Sequence, residues 1–144
     1  MSFDFKIVNG DLGIDTDGNF TKVEDTEKLI QDILKIVHTP LGSNLFYPWY
    51  GSAISKSLIG NVLDDEFLSS IASNQLQSSL NNLQRLQQKQ ALEQRVTPFE
   101  QLAAVKDISI TRNSIDPRFF LVIINALTHA LSVVTTQFSV KPTL

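Results

Sequence analysis

The sequence predicts an α+β fold: a small antiparallel C-terminal meander of three strands plus an N-terminal hairpin, packed with one amphipathic helix and one long helix. Three observations predict it. Phe119 to Leu127, FFLVIINAL, is the longest nearly unbroken apolar run; rich in β-branched and aromatic residues, it reads as a strand covered on both faces. Val105–Arg112 and Ser132–Val140 flank it through short links and alternate partially with period two, so the three read as a meander with Phe119–Leu127 in the middle. Upstream, apolar residues recur at helical spacing in two blocks, one after Asp25 and one after Asp64.

Each element has its own signal. Phe3, Phe5 and Ile7 alternate with polar residues, Asn9-Gly10 and Asp17-Gly18 mark turns, and Phe20–Val23 supplies a returning strand, which together make the N-terminal hairpin. Asp25 reads as the cap of the amphipathic helix. Leu29, Ile30, Ile33, Leu34, Ile36 and Val37 form its stripe, Lys28, Gln31, Asp32 and Lys35 lie outside it, and Pro40 stops it near His38. That stripe is expected to pack on the sheet, worth roughly 1.5–3 kcal/mol per large side chain. Ser52 is placed to cap a short helix through Leu58, stopped by Gly60. Asp64 is placed to cap the long helix, with Phe67, Leu68, Ile71, Leu76, Leu80 and Leu83 near one face. Past Leu83 the Gln-rich run QRLQQKQALEQR is helix-prone and reads as an end standing off the core. Thr97-Pro98-Phe99-Glu100 has the form of a capping box opening a helix to about Ala104. Asp116-Pro117 and Thr128-His129-Ala130 are the turns of the meander.

Residues 39–51, TPLGSNLFYPWYG, hold two prolines, two glycines and four aromatics. This loop is no regular element, yet Phe46, Tyr47, Trp49 and Tyr50 make it too apolar for a linker. Their burial is expected in this chain's own core, the commoner arrangement, or in a partner.

At 144 residues the chain reads as one domain spanning 1–144, long enough to bury roughly 70% of its unfolded surface without a staple. It has no cysteine, so it has neither disulfides nor thiolate metal sites. A net charge of −3 argues against a nucleic-acid binder. No basic segment followed by an apolar one opens the chain, and the apolar stretch Leu121–Val134 is short and interrupted by Asn125, Thr128 and His129, so neither a signal peptide nor a membrane span is expected.

Signals for catalysis are missing. Asp15, Asp17 and Asn19 resemble the start of a calcium loop, but Phe20 stands at the glycine position and Thr26 at the glutamate position, so a turn is the better reading. His38 and His129 lie far apart without carboxylates at ligand spacing. Nucleophile-elbow, Walker and dinucleotide motifs do not occur. Asp64, Asp65, Glu66, Glu93 and Glu100 read as caps or solvated surface rather than as a facing pair. No metal, cofactor or catalytic residue is expected.

The ordered set of motifs carries a resemblance. After the hairpin with Asp17-Gly-Asn-Phe20 and the helix with Gln31-Asp-Ile-Leu34 come Thr39-x-x-Gly42, Pro48-x-x-Gly51, a long helix, Thr97-Pro-Phe-Glu100, and strands around Asp116-Pro-Arg118. Over nearly its whole length the chain resembles the small baseplate wedge proteins, or sheath initiators, of contractile phage tails, to which a type VI secretion baseplate subunit is related. The family's loop has Thr, two residues, Gly-Glu-Arg, three residues, Pro, two residues and Gly. Thr39, Gly42, Pro48 and Gly51 match, while Ser43 and Asn44 stand where Glu and Arg are usual. The family's Glu-Pro-Arg motif ahead of the meander has only incomplete counterparts, at Glu93-Gln94-Arg95 or Glu100-Gln101-Leu102.

The resemblance implies a non-enzymatic structural protein of the virion tail baseplate, assembled in the host cytoplasm. It would join the wedge to the first sheath ring and initiate sheath polymerisation by β-strand exchange. The implied partners are the tail sheath protein, other baseplate wedge proteins and the tail tube or hub, with neither nucleic acid nor membrane. A three-stranded meander has two edges able to accept a foreign strand. Lys106, Asp107, Ser109, Thr111 and Arg112 give one outer strand a polar face, and Val133, Thr135, Gln137 and Ser139 give the last strand another. The last strand is the preferred receiver. About six backbone hydrogen bonds at roughly 0.5–1.5 kcal/mol each give about 3–9 kcal/mol, against a binding cost of at least ~4 kcal/mol, so a second contact or a ring of copies is required. Phe46, Tyr47, Trp49 and Tyr50 are the candidates for that second contact. Alternative readings are the type VI subunit, a lysozyme-like muramidase, a label some relatives have carried, and an anti-adaptor regulatory module. The departures at Ser43 and Asn44 and the Gln-rich helix favour the phage tail.

Overall fold

The computed structural model describes residues 2–58 and 64–140. The N-terminal hairpin resolves into two small antiparallel pairs. Asn9 and Gly10 take positive φ (51° and 83°), the two-residue turn that suits strand twist, and connect β2 (Ile7–Val8) to β3 (Asp11–Leu12). Outside them β1 (Asp4–Phe5) pairs with β4 (Lys22–Val23). Within the second turn Asp15 Oδ1 accepts the backbone N–H groups of Asp17 and Asn19, each at 2.9 Å. The calcium-like acids therefore form a turn whose first carboxylate serves its own backbone.

Helix α1 (Asp25–His38) buries Leu29, Ile33, Ile36 and Val37, with Ile30 and Leu34 partly buried, and ends where Pro40 requires. Its start differs from expectation. Asp25 is not the cap: Glu24 holds that position without a side-chain cap bond, and Asp25 sits at φ +53°. The Asp25 carboxylate instead accepts the Thr97 hydroxyl, tying α1 to the segment before the meander. Lys28, expected at the surface, is buried and paired with Asp32 at 2.7 Å. Gln31 donates to the Phe5 carbonyl at 2.8 Å and accepts the Ile7 N–H at 2.9 Å, while Lys35 pairs with Asp4, so the N-terminal strands are fastened to the helix.

Helix α2 spans Ile54–Leu58, and the expected stop at Gly60 lies outside the described residues. Ser52 donates to the Val37 carbonyl at 2.8 Å and lies 3.5 Å from the Ile54 N–H, so it straps α1 more than it caps α2. Helix α3 (Asp65–Glu93) has Asp64 at its N-cap position but no side-chain cap bond. Leu68, Ala72, Leu76, Leu80 and Leu83 are buried, whereas Phe67 turns outward. The Gln-rich run does not leave the core at Leu83. Gln87 is buried, donates to the Glu100 carbonyl at 3.1 Å and accepts the Leu102 N–H at 2.8 Å. Within that run an unbroken exposed stretch begins only at residue 91 and ends at 95.

Those glutamine bonds explain a second correction. The expected helix from Pro98 to Ala104 is a single 3-10 turn, Pro98–Glu100, without a capping box. Gln84 and Gln87 bond the backbone of residues 100–103, the chain is extended from Gln101 on, and β5 (Leu102–Arg112) begins there. It pairs antiparallel with β6 (Phe120–Thr128), which pairs antiparallel with β7 (Val133–Val140), giving sheet order β5-β6-β7.

The sheet is covered on one face, not two. Phe120, Val122, Ile124, Ala126 and Thr128 of β6 are buried under the helices, and Leu121, Ile123, Asn125 and Leu127 are only half-buried on the other side. Both helices pack on the same side, α3 beside β5 and α1 beside β7, where His38 and Phe138 meet edge-to-face at 5.1 Å. No described helix is long and apolar enough to cross a membrane.

Candidate interaction surface

The two edges of the sheet differ. At the β6–β7 turn the Thr128 N–H donates to the Ser132 carbonyl at 2.9 Å. Antiparallel alternation then turns the backbone groups of Val134, Thr136, Phe138 and Val140 toward β6. Those of Val133, Thr135, Gln137 and Ser139 point away from the sheet, and no backbone hydrogen bond among the described residues reaches them. The ladder with β6 is regular over the whole strand. The β5 edge is irregular, with register shifts between Leu102 and Ala104 and between Val105 and Asp107. Gln84 Nε2 occupies the Leu102 and Ala103 carbonyls at 3.2 and 2.7 Å. At the far end Arg112, expected on the polar face, lies over the Phe120 ring at 4.8 Å and reaches Asp65 of α3 at 2.8 Å.

The open face joins the β7 edge without a break. Its middle row is Leu121, Ile123, Asn125 and Leu127, set against Ser139, Gln137, Thr135 and Val133 on one side and Thr111, Ser109 and Asp107 on the other. Thr135 donates to Asn125 at 2.7 Å and Asn125 donates to Asp107 at 3.1 Å, a polar chain crossing all three strands. Val133, 53% exposed, borders the same face. The four β7 residues singled out in the sequence thus share one edge and one face.

The aromatic loop lies apart from them, pinched at its neck. The Ser52 N–H donates to the Thr39 carbonyl at 2.9 Å and the Leu41 N–H to the Ser52 carbonyl at 3.2 Å. Gly51 closes the neck at φ +116°, where a Cβ would come within 2.4 Å of the Thr39 oxygen, so no other residue fits without movement. Ser43 donates to the Pro40 carbonyl at 2.7 Å, and Asn44 Oδ1 accepts the N–H groups of Phe46 and Tyr47 at 3.0 and 3.2 Å. These two residues, which depart from the Glu-Arg of the resembling family, brace the loop from within. Tyr50 packs against the core. Leu45 and Phe46 are 91% and 87% exposed, and Tyr47 and Trp49 also reach solvent, so most of the loop's apolar surface is unpartnered among the described residues.

Two further sites have the makings of chemistry. Glu100 is buried at 2% exposure, and among the described residues neither carboxylate oxygen has a hydrogen bond of good geometry, although the Ser2 hydroxyl and the Thr97 N–H lie near it. Burial pushes its carboxyl above the ordinary range, with the Lys28 charge and the nearby Ser2 hydroxyl pulling the other way. The Asp25 carboxylate adds to the upward push on Glu100. Glu100 lines neither of two sizeable grooves: one of about 630 Å³ between the N-terminal strands and α1, with Glu27 as its carboxylate, and one of about 610 Å³ beside α3, with none. His38 Nδ1 lies 2.8 Å from the Leu34 carbonyl, and His129 is an exposed turn residue.

No protein-family model matches the chain, and no curated protein sequence matches it. Among solved structures the chain is similar to that of a protein described as a "putative tail lysozyme" from Geobacter sulfurreducens, with a TM-score of 0.56 and 12% identity over 82% of this chain and 93% of that one. At that identity the likeness shows a common fold.

Proposed function

We propose that this chain is a non-enzymatic structural component of a contractile-tail baseplate, joining the wedge to the first sheath ring by accepting a strand of the sheath protein along β7. The observation that carries the reading is the β7 edge: a regular strand with the outward backbone groups of Val133, Thr135, Gln137 and Ser139 unused among the described residues, continuous with a half-exposed apolar row. An incoming strand would pair with those groups and cover Val133. Up to eight backbone bonds at about 0.5–1.5 kcal/mol each give about 4–12 kcal/mol, comparable with the association cost, so the exposed aromatic loop serves as the second contact, toward other wedge proteins. The fold shared with a protein described as a tail lysozyme supports placement in a tail. Reconstruction of a tail containing this chain tests the reading. A sheath strand is expected along Val133–Ser139; finding the chain remote from the tube–sheath junction, or that edge bare, overturns it.

The neighbour's description also motivates a muramidase reading. A glycosidase needs two carboxyls some 5–10 Å apart across a cleft, and the main grooves here offer one or none. Turnover of purified peptidoglycan by the isolated protein would reverse the order of the two readings.

A further inference from the structure

The cleft between the aromatic loop and the far half of α3 has no part in strand docking. Asn82, Arg85, Lys89 and Leu92 line it at spacings of three and four, one stripe of a helix, and Trp49 lies against them. Asn82 Nδ2 donates to the Trp49 carbonyl at 3.3 Å, which holds the loop to the helix and shapes the cleft before any partner arrives. Tyr47 stands edge-on to Trp49 at 5.7 Å. Leu92 is 87% exposed. Arg85 and Lys89 make no ion pair: the pairs among the described residues use Lys28, Lys35, Arg112 and Arg118. In a chain of net charge −3, two uncompensated cations one helical turn apart beside an indole and a bare leucine stand out.

We propose that this cleft receives an acidic peptide segment of a partner protein, one that carries two carboxylates about 6 Å apart and a large apolar side chain beside them. The carboxylate spacing follows from the rise of about 1.5 Å per residue between Arg85 and Lys89. A partner helix matches it with acids four residues apart, and an extended segment with acids two residues apart. The apolar side chain lies on Trp49 and Leu92. Exposed ion pairs are individually weak, so the apolar contact supplies most of the affinity and the cations select and orient the segment. The braced loop lowers the ordering cost of binding. A nucleic acid is the poorer fit, because two cations do not make a track for a phosphate backbone. The inference shares with the functional reading only the idea that the loop meets a partner protein, and it stands if sheath docking on β7 fails.

Trp49 is the chain's one tryptophan, so its emission reports occupancy of the cleft directly. The test begins with a displayed library of random 12-residue peptides selected on the immobilised full chain. Enriched peptides are expected to pair at least two acids with a large apolar residue. The synthesised best peptide should shift Trp49 emission and bind R85E/K89E at least tenfold more weakly. Both side chains are exposed, so that variant should melt at the wild-type temperature. The W49F variant, followed by anisotropy of a labelled peptide, should keep part of the affinity. The proposal is overturned if no peptides are enriched, if the enriched peptides are not acidic, or if they bind R85E/K89E as well as wild type. It is also overturned if a labelled dT15 oligonucleotide outcompetes the peptide, or if Trp49 emission shifts with protein concentration alone and sedimentation shows self-association.

Discussion

The two outer strands of the sheet flank the same central strand and meet opposite fates. β5 is the longer, yet two register shifts, the Gln84 side chain and the Arg112–Asp65 contact deal with its free side. β7 has eight residues in unbroken register and, among the described residues, no such attention. Exposed edges are ordinarily blunted by bulges, charges or cover. β5 uses all three, and β7 presents Val133, Thr135, Gln137 and Ser139 bare. On the proposed reading, the guarded edge is the one kept from pairing and the open edge is the one that receives a strand.

Proline separates the two directions of β7's own backbone most sharply. The Thr136 N–H faces β6, so Thr136→Pro should cost about 3 kcal/mol or more and prevent folding, read by circular dichroism. The Thr135 N–H faces outward, so Thr135→Pro should cost no more than about 1–2 kcal/mol while abolishing strand docking, read as sheath binding by folded protein. Equal losses of stability would mean the outward groups are already engaged. The guard on β5 comes next. Gln87→Ala removes two bonds from buried backbone and should destabilise by about 2–3 kcal/mol in chemical denaturation. Gln84→Ala should cost about 1 kcal/mol and speed hydrogen exchange around residues 103–106, making β5 resemble β7.

Smaller effects sharpen the contrast further. Glu100, beneath the start of β5, has its carboxyl held above the ordinary value of 4.5 by burial. The folded state therefore binds this proton more tightly than the unfolded state, and stability falls as pH rises from that value through the raised folded one. Glu100→Gln should flatten that slope and add about 1 kcal/mol at neutral pH, measured by melting between pH 4 and 8. Arg112→Ala should cost about 0.5 kcal/mol, since Asp65 is largely exposed, and should loosen only the last residues of β5, seen by exchange.

Much of this was legible in the chain itself. The stripe from Leu29 to Val37 and the alternation from Val133 to Ser139 are local patterns, and both elements formed where the spacing placed them. The covering of FFLVIINAL was not legible, because an apolar run does not say how many layers surround it; Leu121, Ile123 and Leu127 are left half-bare. Thr97-Pro-Phe-Glu misled because a capping-box pattern also fits a turn into a strand, and the deciding bonds come from Gln84 and Gln87 across the core. Asp25 misled similarly, its partner Thr97 lying far along the chain. Of the candidate contact residues, the β7 set could be found by alternation. Arg85 and Lys89 read as a solvated helix face, since only the long-range bond from Asn82 to Trp49 reveals what stands opposite them.

The closed neck at Thr39, Gly51 and Ser52 has a consequence for how such a chain can change. With both ends of the loop fixed to each other and Ser79 of α3 donating to the Gly51 carbonyl at 2.8 Å, the residues between them form an interchangeable cassette. If the loop meets a partner as proposed, its contents can be rewritten to suit a different neighbour while the scaffold keeps its shape.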